Sequence, residues 1–311
     1  MKTTDGESVH LIVGNSTVHG YVEGTASFAR FGQIGGIYQL NRTRVMVSDY
    51  SNHCLRLVHR ETNHTTPFMG RCGSHGHRNG TDPLFFYPRG INLLSDDPPV
   101  VIVSDRSNNA LRAVNLLHRN VSTLPLTSQL NDPQVAMFDD SRSALFVSSV
   151  RQIKKVNLVD YSVENIAGSG TQGHNDGWFD EATFGDAQGI VKLSDNVLVV
   201  ADRDHHMLRV LDLQRQSVRS ILTGKTNRDA DSDIRTGKVT RPYSLLVVDG
   251  FLYISGYQMM KRVKGNDALR TNLFVVEALM SSTPIHKSGD GACPDVVMTA
   301  NPKTKTTAYT F

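Results

Sequence analysis

A twelve-residue string that returns twice constrains this chain more than any other feature. VSDYSNHCLRLV at 47–58 is followed by VSDRSNNALRAV at 103–114 and VADRDHHMLRVL at 200–211. Asp49, Asp105 and Asp202 hold one place, and Arg56, Arg112 and Arg209 stand seven residues after them. Between these anchors the chemistry drifts: Cys54 becomes Ala110 and Met207, and His53 becomes Asn109 and His206. A catalytic group is needed once, whereas a packing solution is needed once per repeat. The string therefore marks a repeat architecture.

A second signature precedes each Asp. Gly24, Gly80 and Gly177 lead to Phe31, Phe85 and Phe184, and a Gly-Ile pair follows at Gly36, Gly90 and Gly189. After the Gly-Ile come short apolar runs bounded by turn residues, which in the first repeat read GGIYQL, RVMVSD, CLRLVH and TTPFMG. Runs of this length and composition are strands. Two weaker repeats put Ser149 and Gly256 at the Asp place, the first with a turn expected to be three residues shorter. The reference positions 49, 105, 149, 202 and 256 thus recur about every fifty residues. Four strands per such repeat is the arithmetic of a β-propeller blade, so the fold class is all-β.

Asn52-His53-x-Leu55, with Asp49 before it and Arg56 after it, resembles the NHL repeat, and the lead-in FYPRGI is similar to that family too. The resemblance covers residues 8–265, is specific in three repeats and degenerate in two. It implies four-stranded blades around a central channel, usually six, of which five inner-strand triads can be counted here. Residues 8–311 read as one propeller domain, with 1–7 as a disordered lead. VHLIVG at 9–14 reads as a fourth strand completing the C-terminal blade, and 266–311 as a degenerate last blade or closing tail. The recurring Asp reads as scaffold, accepting hydrogen bonds from turn backbone, with the Arg pairing to it or to a neighbouring blade.

Cys54 alone among its equivalents is a cysteine. A hairpin centred between residues 62 and 63 sets Cys72 opposite it, within the roughly 4.4–6.8 Å a disulfide requires. Two buried free thiols are the alternative, and Cys293 is left over either way. Five Asn-x-Ser/Thr sequons, at Asn15, Asn41, Asn63, Asn79 and Asn120, fall in expected turns or at strand edges, with Asn63 and Asn120 at one turn of successive blades. Disulfide and sequons together favour an extracellular or cell-surface glycoprotein. Against that, MKTTDGES has no apolar signal core, which leaves a cytosolic protein or a trimmed fragment open. The apolar runs are too short to span a bilayer.

For function, three classes compete. His19, His75, His77 and His174 in the fourth-to-first-strand loops could converge on an axial zinc. The resemblance extends to the peptidyl-hydroxyglycine amidating lyase, a zinc and calcium propeller, but the inner strands around Gly36-Ile37, Gly90-Ile91 and Gly189-Ile190 carry none of its histidines. Some intracellular NHL propellers bind single-stranded RNA on a basic face. Here Arg71, Arg78 and Arg89 are diluted by Asp82, Asp176 and Asp180, and a net charge of +3 leaves no broad footprint. The favoured reading is a non-catalytic recognition propeller without a cofactor. It binds a protein through loops on one face, with Tyr21, Trp178 and Phe179 as candidate anchors.

Overall fold

A computed structural model of the chain describes residues 13–14, 18–139, 141–223, 239–248, 251–256 and 259–262. These divide into two compact units, one holding residues up to 150 with Lys154–Glu164, the other Arg151–Ile153 with residues from 165 on. Nearly all regular structure is β.

The first sheet contains β1 (Gly24–Thr25), β2 (Ile34–Gln39), β3 (Arg44–Asp49), β4 (Cys54–His59) and β5 (His64–Met69), in the order β1-β5-β4-β3-β2. The second is β6 (Pro88–Asp96), β7 (Pro99–Asp105), β8 (Ala110–Asn115) and β9 (Asn120–Thr123), adjacent in that order. The third is β10 (Ala136–Phe138), β11 (Ala144–Ser149), β12 (Gln152–Asn157) and β13 (Val163–Ala167). The fourth, with β14 (Gly177–Trp178), β15 (Ala187–Ser194), β16 (Val197–Asp202), β17 (Met207–Asp212) and β18 (Ser217–Thr223), repeats the first with β14 at its outer edge. The fifth shows β19 (Pro242–Val248), β20 (Phe251–Gly256) and β21 (Met259–Arg262) among the described residues. These are four complete antiparallel blades and three strands of another. A sixth blade, the 266–311 tail, Cys293, Asn15 and most of VHLIVG lie outside the described residues.

Middle strands are buried on both faces, which is why they read as continuous apolar runs and not as alternating ones. Every residue of β11, β16 and β17 is buried. Between the first and second sheets Met46, Leu55, Met69, Phe85, Ile91, Val101 and Val103 make one core, each such side chain contributing about 1.5–3 kcal/mol. Val199, Ala201, Leu208, Val210, Leu245 and Ile254 do the same in the second unit.

The Gly-Ile signature has a backbone cause. A Cβ on Gly36 would stand 2.6 Å from the Arg89 carbonyl oxygen, one on Gly90 2.8 Å from that of Gln134, and one on Gly189 2.8 Å from that of Tyr243. Inner strands of successive sheets meet main chain to main chain there, and only glycine permits it.

Two expectations need correction. Two blades carry a fifth, two-residue strand, because Gly24 and Gly177, with φ of +135° and +149°, turn the lead-in back onto the outer strand. In the second blade the same contact is a single bridge, Gly80 to Val121. The third sheet's turn is shorter by two residues, not three, since β12 begins at Gln152 after β11 ends at Ser149. Asn63 and Asn120 do stand at the same turn of successive blades, one residue out of step. Asn63, with φ +49°, precedes β5 as Arg119, with φ +48°, precedes β9, so Asn120 corresponds to His64.

Replacing Gly36 with Ala is expected to lower stability by about 1–3 kcal/mol, through overpacking against fixed backbone. Thermal unfolding of the variant beside the parent checks this.

Candidate functional site

The recurring Asp and Arg form a buried clasp in each of three blades, and all six side chains are fully buried. Each carboxylate accepts a lead-in N–H: Gly32 to Asp49 at 2.9 Å, Phe86 to Asp105 at 2.7 Å and Gly185 to Asp202 at 3.1 Å. Each guanidinium reaches its own Asp, at 2.9 Å for Arg56, 2.5 Å for Arg112 and 3.5 Å for Arg209. It also donates to two lead-in carbonyls: Arg30 and Val22, Leu84 and Arg78, and Thr183 and Asn175. A third acceptor comes from Glu23 at 3.1 Å, Asn79 at 2.9 Å or Asp176 at 2.9 Å. Phe31, Phe85 and Phe184 lie under the three guanidinium planes. The partner left open by the sequence is thus the Asp of the same blade.

Burial sets the electrostatics of this clasp. It pushes the Asp105 carboxyl up, against the bonds from Asn108, Phe86 and Arg112, and it pushes Arg112 down. In the third sheet Ser149 donates instead to the Asn131 carbonyl, and Lys154, standing at the Arg place, is pushed down by burial.

A second repeated contact joins successive blades. After Asp49 and Asp105 comes a single 3-10 turn, Tyr50–Asn52 or Arg106–Asn108, and the chain leaves it through a left-handed residue, His53 or Asn109. His206, with φ +57°, is the counterpart after Asp202. His53 Nδ1 accepts the Tyr87 N–H at 3.2 Å, Asn109 Oδ1 that of Asp132 at 2.8 Å, and His206 Nδ1 that of Arg241 at 3.0 Å. The donors Tyr87, Asp132 and Arg241 are themselves left-handed, with φ of +54°, +46° and +44°.

At this end of the first two sheets the loops gather aromatic rings and cations. Tyr50 and Tyr87 stack at 4.6 Å, and His53 meets Tyr87 edge-on at 4.5 Å. His75 stacks on Phe86 at 4.5 Å. Arg89 caps the Tyr50 ring at 4.9 Å, while Arg106 donates to its hydroxyl at 3.0 Å and pairs with Asp132 at 2.9 Å. Arg71 and Arg78 converge on Asp82 at the exposed rim. Tyr50 lies in the turn after β3 and Phe86 and Tyr87 in the lead-in to β6, so the meeting of Tyr50 with that pair carried no linear signal. The one clue was that Tyr50 follows the recurring Asp49 and that Phe86 and Tyr87 open the lead-in FYPRGI.

The disulfide joins Cys54 to Cys72 with 5.0 Å between Cα atoms, but not as a cross-ladder pair. The β4–β5 ladder pairs His59 with His64 and shifts by one at Leu55, and β5 ends at Met69. Gly70, at φ +86°, then turns the chain so that Cys72 returns to the start of β4.

Of the histidines, His77 hydrogen-bonds Thr123 at 3.0 Å, His174 lies 5.1 Å from His205, and His19 is exposed. Among the described residues no group of three His, Cys, Asp or Glu side chains could hold a metal. Tyr21 is 41% exposed with Arg56 over its ring at 5.2 Å, and Trp178 is 42% exposed. Phe179 exchanges backbone bonds with Gln216 and Gly168 at the outer edge. Asn41 and Asn63 are exposed at turns, Asn120 is exposed at the start of β9, and Asn79 is exposed while its Oδ1 accepts from Arg112.

No family model matches the chain. It is 33% identical over 174 residues to human NHL repeat-containing protein 2, a match covering 47% of this chain and 24% of that protein. The chain spans about a quarter of the length of that curated relative. Solved structures supply the fold. An auxiliary nutrient binding protein from Bacteroides thetaiotaomicron VPI-5482 aligns with a TM-score of 0.51 at 10% identity, covering 82% of this chain and 76% of that one. A chain of a nidogen/laminin complex aligns at 0.52 and 12% identity, covering 74% and 76%.

Arg112→Met should cost about 3–5 kcal/mol by stranding Asp105 without its counter-charge, and Asp105→Leu with Arg112→Met should recover most of that loss. Urea unfolding of the single and double variants checks both.

Proposed function

The sequence signature, the blades and these relatives agree on an NHL-repeat β-propeller, and from that premise we propose a non-catalytic recognition role. In this reading the chain is part of a secreted or cell-surface glycoprotein and binds a protein ligand through its fourth-to-first-strand loops. One observation carries it: in the first unit the two ends of the sheets differ in chemistry. Asn41 sits at the β2–β3 turn and Asn63 at the β4–β5 turn, and the two turns touch through the Arg60 N–H and Thr43 carbonyl at 2.8 Å. Asn120 opens β9 opposite Asn115 at the corresponding end of the second sheet. Glycans on these three would crowd that end.

The opposite end presents Tyr50, Phe86, Tyr87, Arg89 and Arg106, with Arg71 and Arg78 on the rim. Partly exposed aromatics and arginines over a fixed scaffold are the composition of a protein-binding surface. Cys54–Cys72 holds the start of the loop carrying Arg71 and Arg78, and a bond of that kind persists in an oxidising compartment. Tyr21 and Trp178 extend the candidate contacts within their own units. The structural relatives accord with binding, one being named as a nutrient binding protein and another solved in a nidogen/laminin complex.

Secreted material should carry glycosidase-sensitive mass at Asn41, Asn63 and Asn120. Its binding to cell-surface or matrix protein should fall about tenfold or more with Arg71→Glu and Arg78→Glu together, some 1.4 kcal/mol. Replacing the three asparagines with Gln should leave binding intact. An unmodified secreted chain, or binding lost only in the Gln variant, would overturn the reading.

A further inference from the structure

The contact from His53 to Tyr87 has a chemical property that its counterpart in the next blade lacks. Nδ1 of His53 accepts the Tyr87 N–H at 3.2 Å, so this nitrogen carries a lone pair and the ring proton sits on Nε2. An imidazolium has N–H donors at both positions and cannot accept. Asn109 performs the same task with an amide oxygen, at 2.8 Å to Asp132, and does not titrate. We propose that His53 is an acid-released latch: neutral, it ties Tyr87, at the end of loop 70–87, to the first blade, and protonated, it lets that contact go.

The surroundings favour the neutral ring. His53 is buried, which pushes its pKa down from the ordinary value of 6.5, and the nearby His75 pushes the same way against the opposing Asp49 carboxylate. Asp49 is already committed to the Gly32 N–H and Arg56. From the loop side the ring faces His75 at 5.3 Å, Phe86 at 5.5 Å and Tyr87 at 4.5 Å. Tyr50, stacked on Tyr87, carries Arg89 over its ring and Arg106 on its hydroxyl, the latter paired with Asp132. No carboxylate in this set is placed to trade its partner for the imidazolium.

The sign follows. A ring that binds its proton less well folded than unfolded contributes stability in full above about 6.5. That contribution is lost as pH falls from there through the lowered folded value, and below it no further loss occurs. Loop 70–87 is fastened near its start by Cys54–Cys72 and at its end by this latch. Release therefore loosens the turn at Tyr87 alone, because Phe86 stays bonded to Asp105 and to the Ser107 N–H. Tyr87, left-handed at φ +54°, then relaxes toward ordinary backbone. The latch does not depend on the recognition role, although release would remodel the surface assigned to it.

The test is amide exchange of the intact chain at pH 7.5 and 5.5, corrected for intrinsic rates. Protection of the Tyr87 amide should fall several-fold in acid, up to a ceiling of about tenfold for one group titrating near 6.5, while that of Asp132 holds, and in His53→Asn both should hold. Tyr87 tracking Asp132 in the parent, or an acid response surviving in His53→Asn, would overturn the proposal. Nitrogen NMR of the parent ring gives a readout needing no variant. The latch requires the Nε2–H tautomer at pH 7.5 and a transition below 6.5, and a ring protonated on Nδ1 at pH 7.5 contradicts it.

Discussion

An arginine with no access to solvent is the constraint around which each regular blade is built. Arg56, Arg112 and Arg209 lie on the third large strand of their sheets, and burying a guanidinium is tolerable only if nearly every donor is met. Its own Asp supplies one acceptor to Arg56 and Arg112 and stands 3.5 Å from Arg209. Thr65 adds one for Arg56, and the lead-in loop supplies the others, leaving only Nε and part of the Arg209 head without one. The loop must therefore return to the same place in every blade. Burial moves Asp105 up and Arg112 down, so the pair adds little net stability by itself. Its effect is to fix one path for a loop with little regular structure of its own.

Two further devices build on that path. Glycines at 36, 90 and 189 let inner strands of successive sheets meet without side chains between them. The acceptor of His53, Asn109 or His206 then ties the outgoing turn to the next lead-in. Clasp, glycine contact and latch join the start of a blade to its own outer strands and to the blade that follows. The third sheet shows what happens when the clasp is lost. Ser149 and Lys154 replace the pair, and a two-residue turn replaces the four-residue one.

The sequence showed as much of this as period and residue type could carry. Asp and Arg recur as identical letters, so the blades and the scaffold role of the string were legible. Glu23, Asn79 and Asp176 were not, because an acid, an amide and an acid share only an acceptor oxygen at one place. The latch was hidden for the same reason, behind His, Asn and His. The Cys54–Cys72 pairing was readable from spacing, but its geometry was not, since the ladder shift at Leu55 and the left-handed Gly70 leave no periodic trace. The aromatic cluster was least visible, because Tyr50 and Tyr87 are neighbours only once two blades have packed.

What distinguishes this propeller is then variable chemistry on a repeated frame: cations and rings at one end of the first two blades, exposed sequons at the other. The frame's central claim is that three Asp/Arg pairs are equivalent structural clasps. Native-state exchange of the Gly32, Phe86 and Gly185 amides, the donors to the three carboxylates, tests it most directly. The account predicts slow and comparable exchange at all three in the free protein. One of them exchanging like an open loop amide, while its sheet stays protected, would contradict it.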